Sequence, residues 1–293
     1  MRVFLVDGTY EIFRHFFGAP PHRTPDGAEV GATRAVLGSI LGMFEEGATH
    51  LGVATDHVIE SFRNDLWPGY KSSAGVAPEL LGQFTLLELA LQSMGVVVWP
   101  MVELEADDAL ASAAAVAAAE PTVEQVVICT PDKDLGQCVD DGRVVQLYRR
   151  KRVVIDAAGV ASKFGVTPSS IPDYLALVGD SSDGYPGLAG WGPKSAATVL
   201  ARYGTIEQIP DRATEWDVSV RGGPALAATL AAERERAMLF KDLATLRVDR
   251  SLLHRVDELL WGGPTEDFDA VCQRIDGRGL AARAERLAAR RAK

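Results

Sequence analysis

Four short apolar runs mark the first half of the chain, each followed by polar or helix-patterned sequence. Val3–Val6, Leu51–Ala54, Val96–Trp99 and Val126–Cys129 read as strands buried on both faces, being continuous, short and bounded by turn residues. Between them, 29–46 carries Val36, Ile40 and Phe44 at helical spacing, and 105–119 reads as another helix. This alternation predicts an α/β fold with a mostly parallel sheet flanked by helices. Residues 143–155 predict a hairpin pair, and 63–83, with two Pro and three Gly, interrupts the rhythm as a long insertion. Past about residue 157 the texture changes to short helical stretches divided by Pro and Gly, then one long amphipathic helix pattern over 224–245 and a basic, helix-prone tail over 276–293. This change sets a boundary near 160, giving one domain over 1–160 and a helical one over 161–293.

Composition narrows the class. The 293 residues suffice for a buried core, and 47% hydrophobic content excludes a disordered chain. Asp and Glu total 40 against 30 Lys and Arg, a net charge of −10, which speaks against a nucleic-acid partner. Three cysteines, Cys129, Cys138 and Cys272, fit no zinc spacing, so a reducing cytoplasm is expected. The first apolar run ends at Asp7, and the alanine-rich stretch 109–119 is shorter than the roughly 20 residues of a membrane span. No membrane association is expected.

The charge objection weakens when the carboxylates are placed on the predicted strands. Asp7 follows the first and Asp56 the second. Glu105, Asp107 and Asp108 come shortly after the third, and Asp132 and Asp134 after the fourth. In a parallel sheet the strand ends share one edge, where ligands bind. Carboxylates gathered there raise one another's pKa unless a cation is present, and oxygen-only donors suit Mg²⁺ or Mn²⁺. An acid after a strand is often a turn or cap residue, but four strands repeating the arrangement make that reading poor. Asp180 and Asp183 add two more acids later. Asp7-Gly8-Thr9 lacks the upstream Asp of an aspartyl-phosphate motif, since position 5 is Leu5. Pro193 breaks the Gly-Lys run that a phosphate loop needs before Ser195.

Residues 186–204 form a second signature. A Gly-rich turn with Leu188 and Trp191 at its centre runs into Pro193, a favoured first helical residue, and the helix stops at Gly204. This is a helix–hairpin–helix pattern. Gly190 and Gly192 permit close backbone approach, and free amides beside Lys194 and Ser195 can hold a phosphate without reading bases.

These residues resemble the 5′-nuclease family of flap endonucleases and 5′–3′ exonucleases, in particular the 5′-nuclease domain of bacterial DNA polymerase I. The matching segments are VDGTYEIFR (6–14), FRNDLWPGYK (62–71), EADDALA (105–111), TPDKDLGQ (130–137), IPDYLALVGDSSDGYPGLAGWGPKSAATVL (171–200) and RYG (202–204). The length leaves no room for a polymerase, so a stand-alone nuclease is expected.

The resemblance implies a PIN-like core, a helical arch at 63–83 and a helix–three-turn–helix DNA-binding region. It implies that Asp7, Asp56, Glu105, Asp107, Asp108, Asp132, Asp134, Asp180 and Asp183 hold metal ions. One ion would rest on the strand-end acids and a second on Asp132, Asp134, Asp180 and Asp183. Lys71 would touch the scissile phosphate, Arg63 a phosphate nearby, and Tyr70 would stack on a base. K⁺ at the hairpin carbonyls is carried by the family alone. Three departures stand out. Ser72-Ser73-Ala74-Gly75 offers no second arch cation, Trp191 replaces a small aliphatic residue, and Tyr185 differs from the common pattern.

The implied substrates are DNA 5′ flaps, nicks, gaps and free 5′ ends, with an RNA primer in a hybrid as a further candidate, all met by a monomer. The implied reaction is in-line attack by a metal-activated water, leaving a 5′-phosphate and a 3′-hydroxyl. Two other readings stand beside it: a non-catalytic junction-binding module, against which the full acidic set argues, and a PIN-type ribonuclease, against which the hairpin and length argue.

Overall fold

Runs too apolar to alternate must bury both faces, and the computed structural model, which describes residues 1–291, turns all four into parallel strands. In chain order the elements are β1 (Arg2–Asp7), α1 (Gly8–Gly18), α2 (Gly31–Glu45), β2 (His50–Asp56), α3 (Phe62–Leu66), α4 (Pro78–Ser93), β3 (Val97–Met101), α5 (Ala106–Ala119), β4 (Gln125–Cys129), β5 (Val144–Tyr148), β6 (Val153–Ile155), α6 (Ala157–Phe164), α7 (Ile171–Val178), α8 (Pro193–Tyr203), α9 (Gly223–Ala232), α10 (Arg234–Ala244), α11 (Phe268–Arg274) and α12 (Arg278–Arg291). Where the sequence suggests one cut near 160, the chain forms two units that are each discontinuous. One gathers Met1–Ile59, Ser73–Thr130 and the chain from Val248 onward, the other Glu60–Ser72 and Pro131–Arg247.

In the first unit the strands run in the order β3-β2-β1-β4, with Val6 level with Val53 and Cys129, and Asp56 level with Met101. Their carboxyl ends therefore share an edge. The alanine-rich α5 explains its composition here: buried Ala109, Ala113 and Ala117 let it lie close on the sheet. Gly8 opens α1 against β2, where a Cβ would stand 2.7 Å from the Thr55 and Val53 side chains.

The end of the chain closes this unit. Trp261 stacks on Phe44 at 4.3 Å and donates its indole N–H to Met94 O at 2.8 Å. The tail expected to be basic and helix-prone is α12, docked on α2; its last two residues, 292–293, lie outside the described residues. Arg283 bonds Glu45, and Arg291 donates to the carbonyls of Phe44 and Ala48, at the end of α2 where backbone dipoles favour cations. Arg286 and Arg290 stay exposed.

In the second unit β5 and β6 pair antiparallel, as the hairpin expectation required. Ile171, Leu175, Trp191, Leu200 and Phe240 belong to its core. The single helix expected over 224–245 is two, α9 and α10, broken at Glu233, whose backbone leaves the helical region (φ −117°, ψ 25°). Arg234 supplies a reason: its guanidinium donates to Ile206 O and Ile209 O, both at 2.9 Å, and holds Asp211 at 2.7 Å, fixing where α10 begins.

A helical arch is expected at 63–83. The segment consists of α3, an irregular stretch over 67–77 and the first turns of α4. Pro68, Gly69 and Gly75 account for the irregular stretch, and Pro78 opens α4. No helix among the described residues is long and apolar enough to cross a membrane. The three cysteines are free, and burial pushes the Cys272 thiol up to about 11.

Candidate functional site

In the first unit the strand ends carry their acids inward. Asp7 caps α1: one carboxylate oxygen accepts from the Tyr10 amide at 2.7 Å, and the other from the Thr130 hydroxyl, just past β4, at 2.8 Å. Asp56 accepts from the Ala106 amide at 2.7 Å, tying the end of β2 to the start of α5, while its own amide donates to the Thr9 hydroxyl at 2.8 Å. Glu105 is the N-cap of α5, and Asp108 reaches back to accept from the Glu105 amide at 2.9 Å. Asp7, Asp56, Glu105 and Asp108 are buried and Asp107 is half-buried. These bonds join the ends of β1, β2 and β4 and the start of α5, just past β3.

The second unit holds the other acids. One carboxylate oxygen from each of Asp134, Asp180 and Asp183 lies within 4.8 Å of the others. Asp132 accepts from the Asp134 amide at 3.0 Å, and its carbonyl accepts from the Gln146 side chain at 2.6 Å. Asp180 orders its own loop by accepting from the Ser182 amide at 2.9 Å. Burial, and then the charges of Asp132, Asp183 and Asp180, push the Asp134 carboxyl well above the usual carboxylate range; Lys133 opposes them. Lys133 sits 2.6 Å from Asp180. Partial burial lowers its pKa, but the Asp180 hydrogen bond and the surrounding carboxylates outweigh that and raise it overall. Asp134 Oδ1 is buried with no hydrogen-bond partner. An orphaned anionic oxygen among hard oxygen donors fits a divalent cation of the Mg²⁺ or Mn²⁺ type.

Lys71 is tied to this set through its backbone. Its amide donates to Asp183 O at 3.1 Å, and its carbonyl accepts from the Asn64 side chain at 3.0 Å. The Trp67 indole donates to Gly184 O at 3.1 Å. Gly184 (φ +80°) crosses Gly69 so tightly that a Cβ would lie 2.0 Å from the Gly69 carbonyl oxygen.

Two neighbours depart from expectation. Arg63, expected to touch phosphate, is 1% exposed, with its guanidinium on the Leu243 carbonyl (2.8 Å) and the Thr245 carbonyl (3.2 Å) at the end of α10. A side chain so enclosed presents no surface to a substrate; it fastens α3. Tyr70, expected to stack on a base, is 5% exposed within the apolar core of its unit.

The hairpin takes the expected form. Gly190 adopts a left-handed backbone (φ +82°), Pro193 opens α8, and Gly204 ends it. Ser195 closes the first turn: its hydroxyl accepts from the Gly192 amide and donates to the Gly192 carbonyl, both at 3.0 Å. Trp191 anchors the turn by donating to Leu226 O at 3.2 Å. Gly190, Gly192, Lys194, Ser195 and Arg221 line a cleft of about 880 Å³, and Lys194 is exposed.

Several supporting groups fall in the matching segments but were given no role by the sequence reading: Thr9, Thr130, Asn64, Trp67 and Lys133. Lys133 is the one of these flanked on both sides by acids, Asp132 and Asp134.

Comparison with known proteins gives the family and the fold. A model of the N-terminal resolvase-like domain of 5′–3′ exonucleases matches residues 2–165, and one of their C-terminal SAM fold matches 166–267. DNA polymerase I of Pseudomonas aeruginosa is 32% identical over 273 residues, 90% of this chain and 29% of that protein. The chain thus spans under a third of that relative's length. A 5′–3′ exonuclease of Aquifex aeolicus is 34% identical over 218 residues, 71% of each chain. Among solved structures, a bacteriophage T5 flap endonuclease in a pseudo-enzyme-product complex with DNA and metal ions matches with a TM-score of 0.67 at 17% identity, covering 96% of this chain and 100% of that one. The catalytic core of Rad2 with a DNA substrate matches at 0.63 and 15%, covering 98% and 92%. The fold is shared with both, and with two adjoining domain models accounting for residues 2–267, the chain belongs to the 5′–3′ exonuclease family.

Proposed function

We propose that the chain is a metal-dependent, structure-specific 5′ nuclease that cuts DNA 5′ flaps and trims free 5′ ends at nicks and gaps in replication and repair. The observation that carries this reading is the buried Asp134 oxygen without a partner, set among Asp180 and Asp183 in a chain of this family. Asp132, Asp134, Asp180 and Asp183 would hold one divalent cation, Mg²⁺ or Mn²⁺. Asp7, Asp56 and Glu105, with Asp107 and Asp108 behind them, would hold another. Such cations, when bound, supply a nucleophilic water and neutralise charge on the phosphate and leaving oxygen.

The chain's own groups do the rest. Lys71, held at its backbone by Asp183 and Asn64, aims an ammonium at the scissile phosphate and stabilises negative charge developing there. Arg63 acts as a positioning residue through its hold on α10. Gly190, Gly192, Lys194 and Ser195 grip a phosphate of the duplex backbone at the start of α8, without reading bases. Cleavage would leave a 5′-phosphate and a 3′-hydroxyl. Free thiols fit a reducing cytoplasm.

Product mapping on a 5′-labelled flap, a nicked duplex and single-stranded RNA, with Mg²⁺, Mn²⁺ or EDTA, tests the reading. Metal-dependent cutting at the flap junction is expected. Preferred cutting of single-stranded RNA would make the chain a ribonuclease, and tight flap binding without cutting in either metal would make it a junction-binding module.

A further inference from the structure

Lys133 stands between two of the acids proposed to hold a cation, yet its side chain turns to a third. Asp132 accepts from the Asp134 amide at 3.0 Å, so the backbone bends tightly with Lys133 at its middle, and a short helical turn, Asp134–Cys138, follows. From that bend the ammonium reaches the loop after α7 and lies 2.6 Å from Asp180 Oδ2. Asp180 is 2% exposed, and its Oδ1 accepts from the Ser182 amide at 2.9 Å. Both of its oxygens are therefore engaged, one of them by a cation. A carboxylate buried so deeply is costly to ionise unless a positive charge meets it. Lys133 supplies that charge.

The compensation is incomplete. Asp134, Asp180 and Asp183 each bring an oxygen within 4.8 Å of the others, and the ammonium leaves Asp134 Oδ1 buried without a partner. An ammonium carries a single charge and meets its acceptors through N–H bonds. A divalent cation carries twice that and draws in oxygens to about 2.0–2.1 Å. With Oδ1 on the Ser182 amide, Oδ2 is the oxygen through which Asp180 would meet such a cation, and the ammonium already sits on it. Two cations on one carboxylate oxygen repel across a few ångströms. The lysine is the one free to leave. Its side chain is 30% exposed, and a flexible four-carbon stem can carry the ammonium into water while the backbone stays in place.

We propose that Lys133 is the internal counter-ion of this carboxylate group, bound to Asp180 in the absence of divalent cations and displaced when one binds. This rests on the cation reading above and adds to it the residue that sets how tightly that cation is held. Lys133 holds no metal. It stabilises the unloaded group, and its displacement opposes loading.

The test titrates Mn²⁺ into the full chain without DNA and follows the free-ion electron paramagnetic resonance signal for wild type, Lys133→Met and Asp134→Asn, beside thermal melting of each in EDTA. A third measurement acetylates wild-type lysines in EDTA and in Mg²⁺ and reads each site by peptide mass spectrometry. Asp134→Asn is expected to lose one class of Mn²⁺ site. Lys133→Met is expected to bind that class roughly 10-fold or more tightly than wild type, and to melt lower than wild type in EDTA. Acetylation at Lys133 is expected to rise several-fold in Mg²⁺. Equal or weaker Mn²⁺ binding in Lys133→Met, with the class still lost in Asp134→Asn, would overturn the proposal and leave the cation reading standing. Acetylation of Lys133 indifferent to Mg²⁺ would also overturn it, by showing that the ammonium stays where it is. So would wild-type melting of Lys133→Met in EDTA, since the lysine would then compensate nothing. Unchanged Mn²⁺ binding in Asp134→Asn would overturn the cation reading and this proposal with it.

Discussion

A carboxyl group 5% exposed and surrounded by three other carboxylates is costly to ionise, and Asp134 is in that position. Its folded pKa is raised, so the metal-free protein bears no penalty below the ordinary value of 3.8 and a growing one as pH rises from there toward the folded value. Without cations, stability should therefore fall as pH rises across that window, and a divalent cation should restore it. Asp134→Asn removes the charge and keeps the shape. In EDTA at neutral pH it should melt higher than wild type, by on the order of 1 kcal/mol or about 2–4 °C, while losing the rise in melting temperature that Mn²⁺ gives wild type. Asp134→Ala should abolish cleavage while flap binding persists; wild-type rates in Mg²⁺ or Mn²⁺ would remove Asp134 from the machinery. Lys71→Ala should slow single-turnover cleavage by about 100-fold or more with little change in flap affinity, and equal effects on both would reduce Lys71 to a docking contact. At this scale the placing of Asp7 and Asp56 was legible in the sequence because strand ends share an edge, whereas Asp180 and Asp183 follow α7 and were marked by the resemblance alone. Arg63 and Tyr70 were not legible, because whether a side chain faces substrate or core depends on α10 and on residues over a hundred positions away.

Between elements, the crossing of 67–71 with 180–185 connects the lysine to the carboxylate loop. It relies on Gly184, whose positive φ and 2.0 Å approach to Gly69 O exclude a side chain. Gly184→Ala should part the two strands of chain and misplace Lys71. Single-turnover cleavage should drop by at least about 10-fold, with duplex binding through the hairpin unchanged, as fluorescence anisotropy would show; retained cleavage would mean that Lys71 is held by other contacts. The hairpin, α5 and the four strands could be read from Pro, Gly and apolar spacing, which act locally. The break between α9 and α10 could not, since Arg234 makes it by reaching carbonyls more than twenty positions back.

For the molecule as a whole, a net charge of −10 opposes binding to a polyanion, and nine of the 40 acids sit in the two proposed cation sites. Loading those sites should raise DNA affinity even without chemistry. Flap binding should tighten by about 10-fold or more in Ca²⁺ relative to EDTA, and Asp134→Asn should blunt the gain, as measured by anisotropy. An affinity indifferent to Ca²⁺ would mean that DNA is held by the hairpin and lysines alone. The discontinuous units were the least legible feature, because no local pattern marks the chain from Val248 onward as belonging with β1.

That discontinuity orders events during synthesis. The second unit has all of its residues once Arg247 has been made, whereas the first still lacks Trp261, which stacks on Phe44, and Arg291, which caps α2. At the pace of translation, about 5–20 residues per second, the strands bearing Asp7 and Asp56 wait several seconds for the segment that seals them. The unit that carries the hairpin can therefore mature on the ribosome before the unit that carries β1.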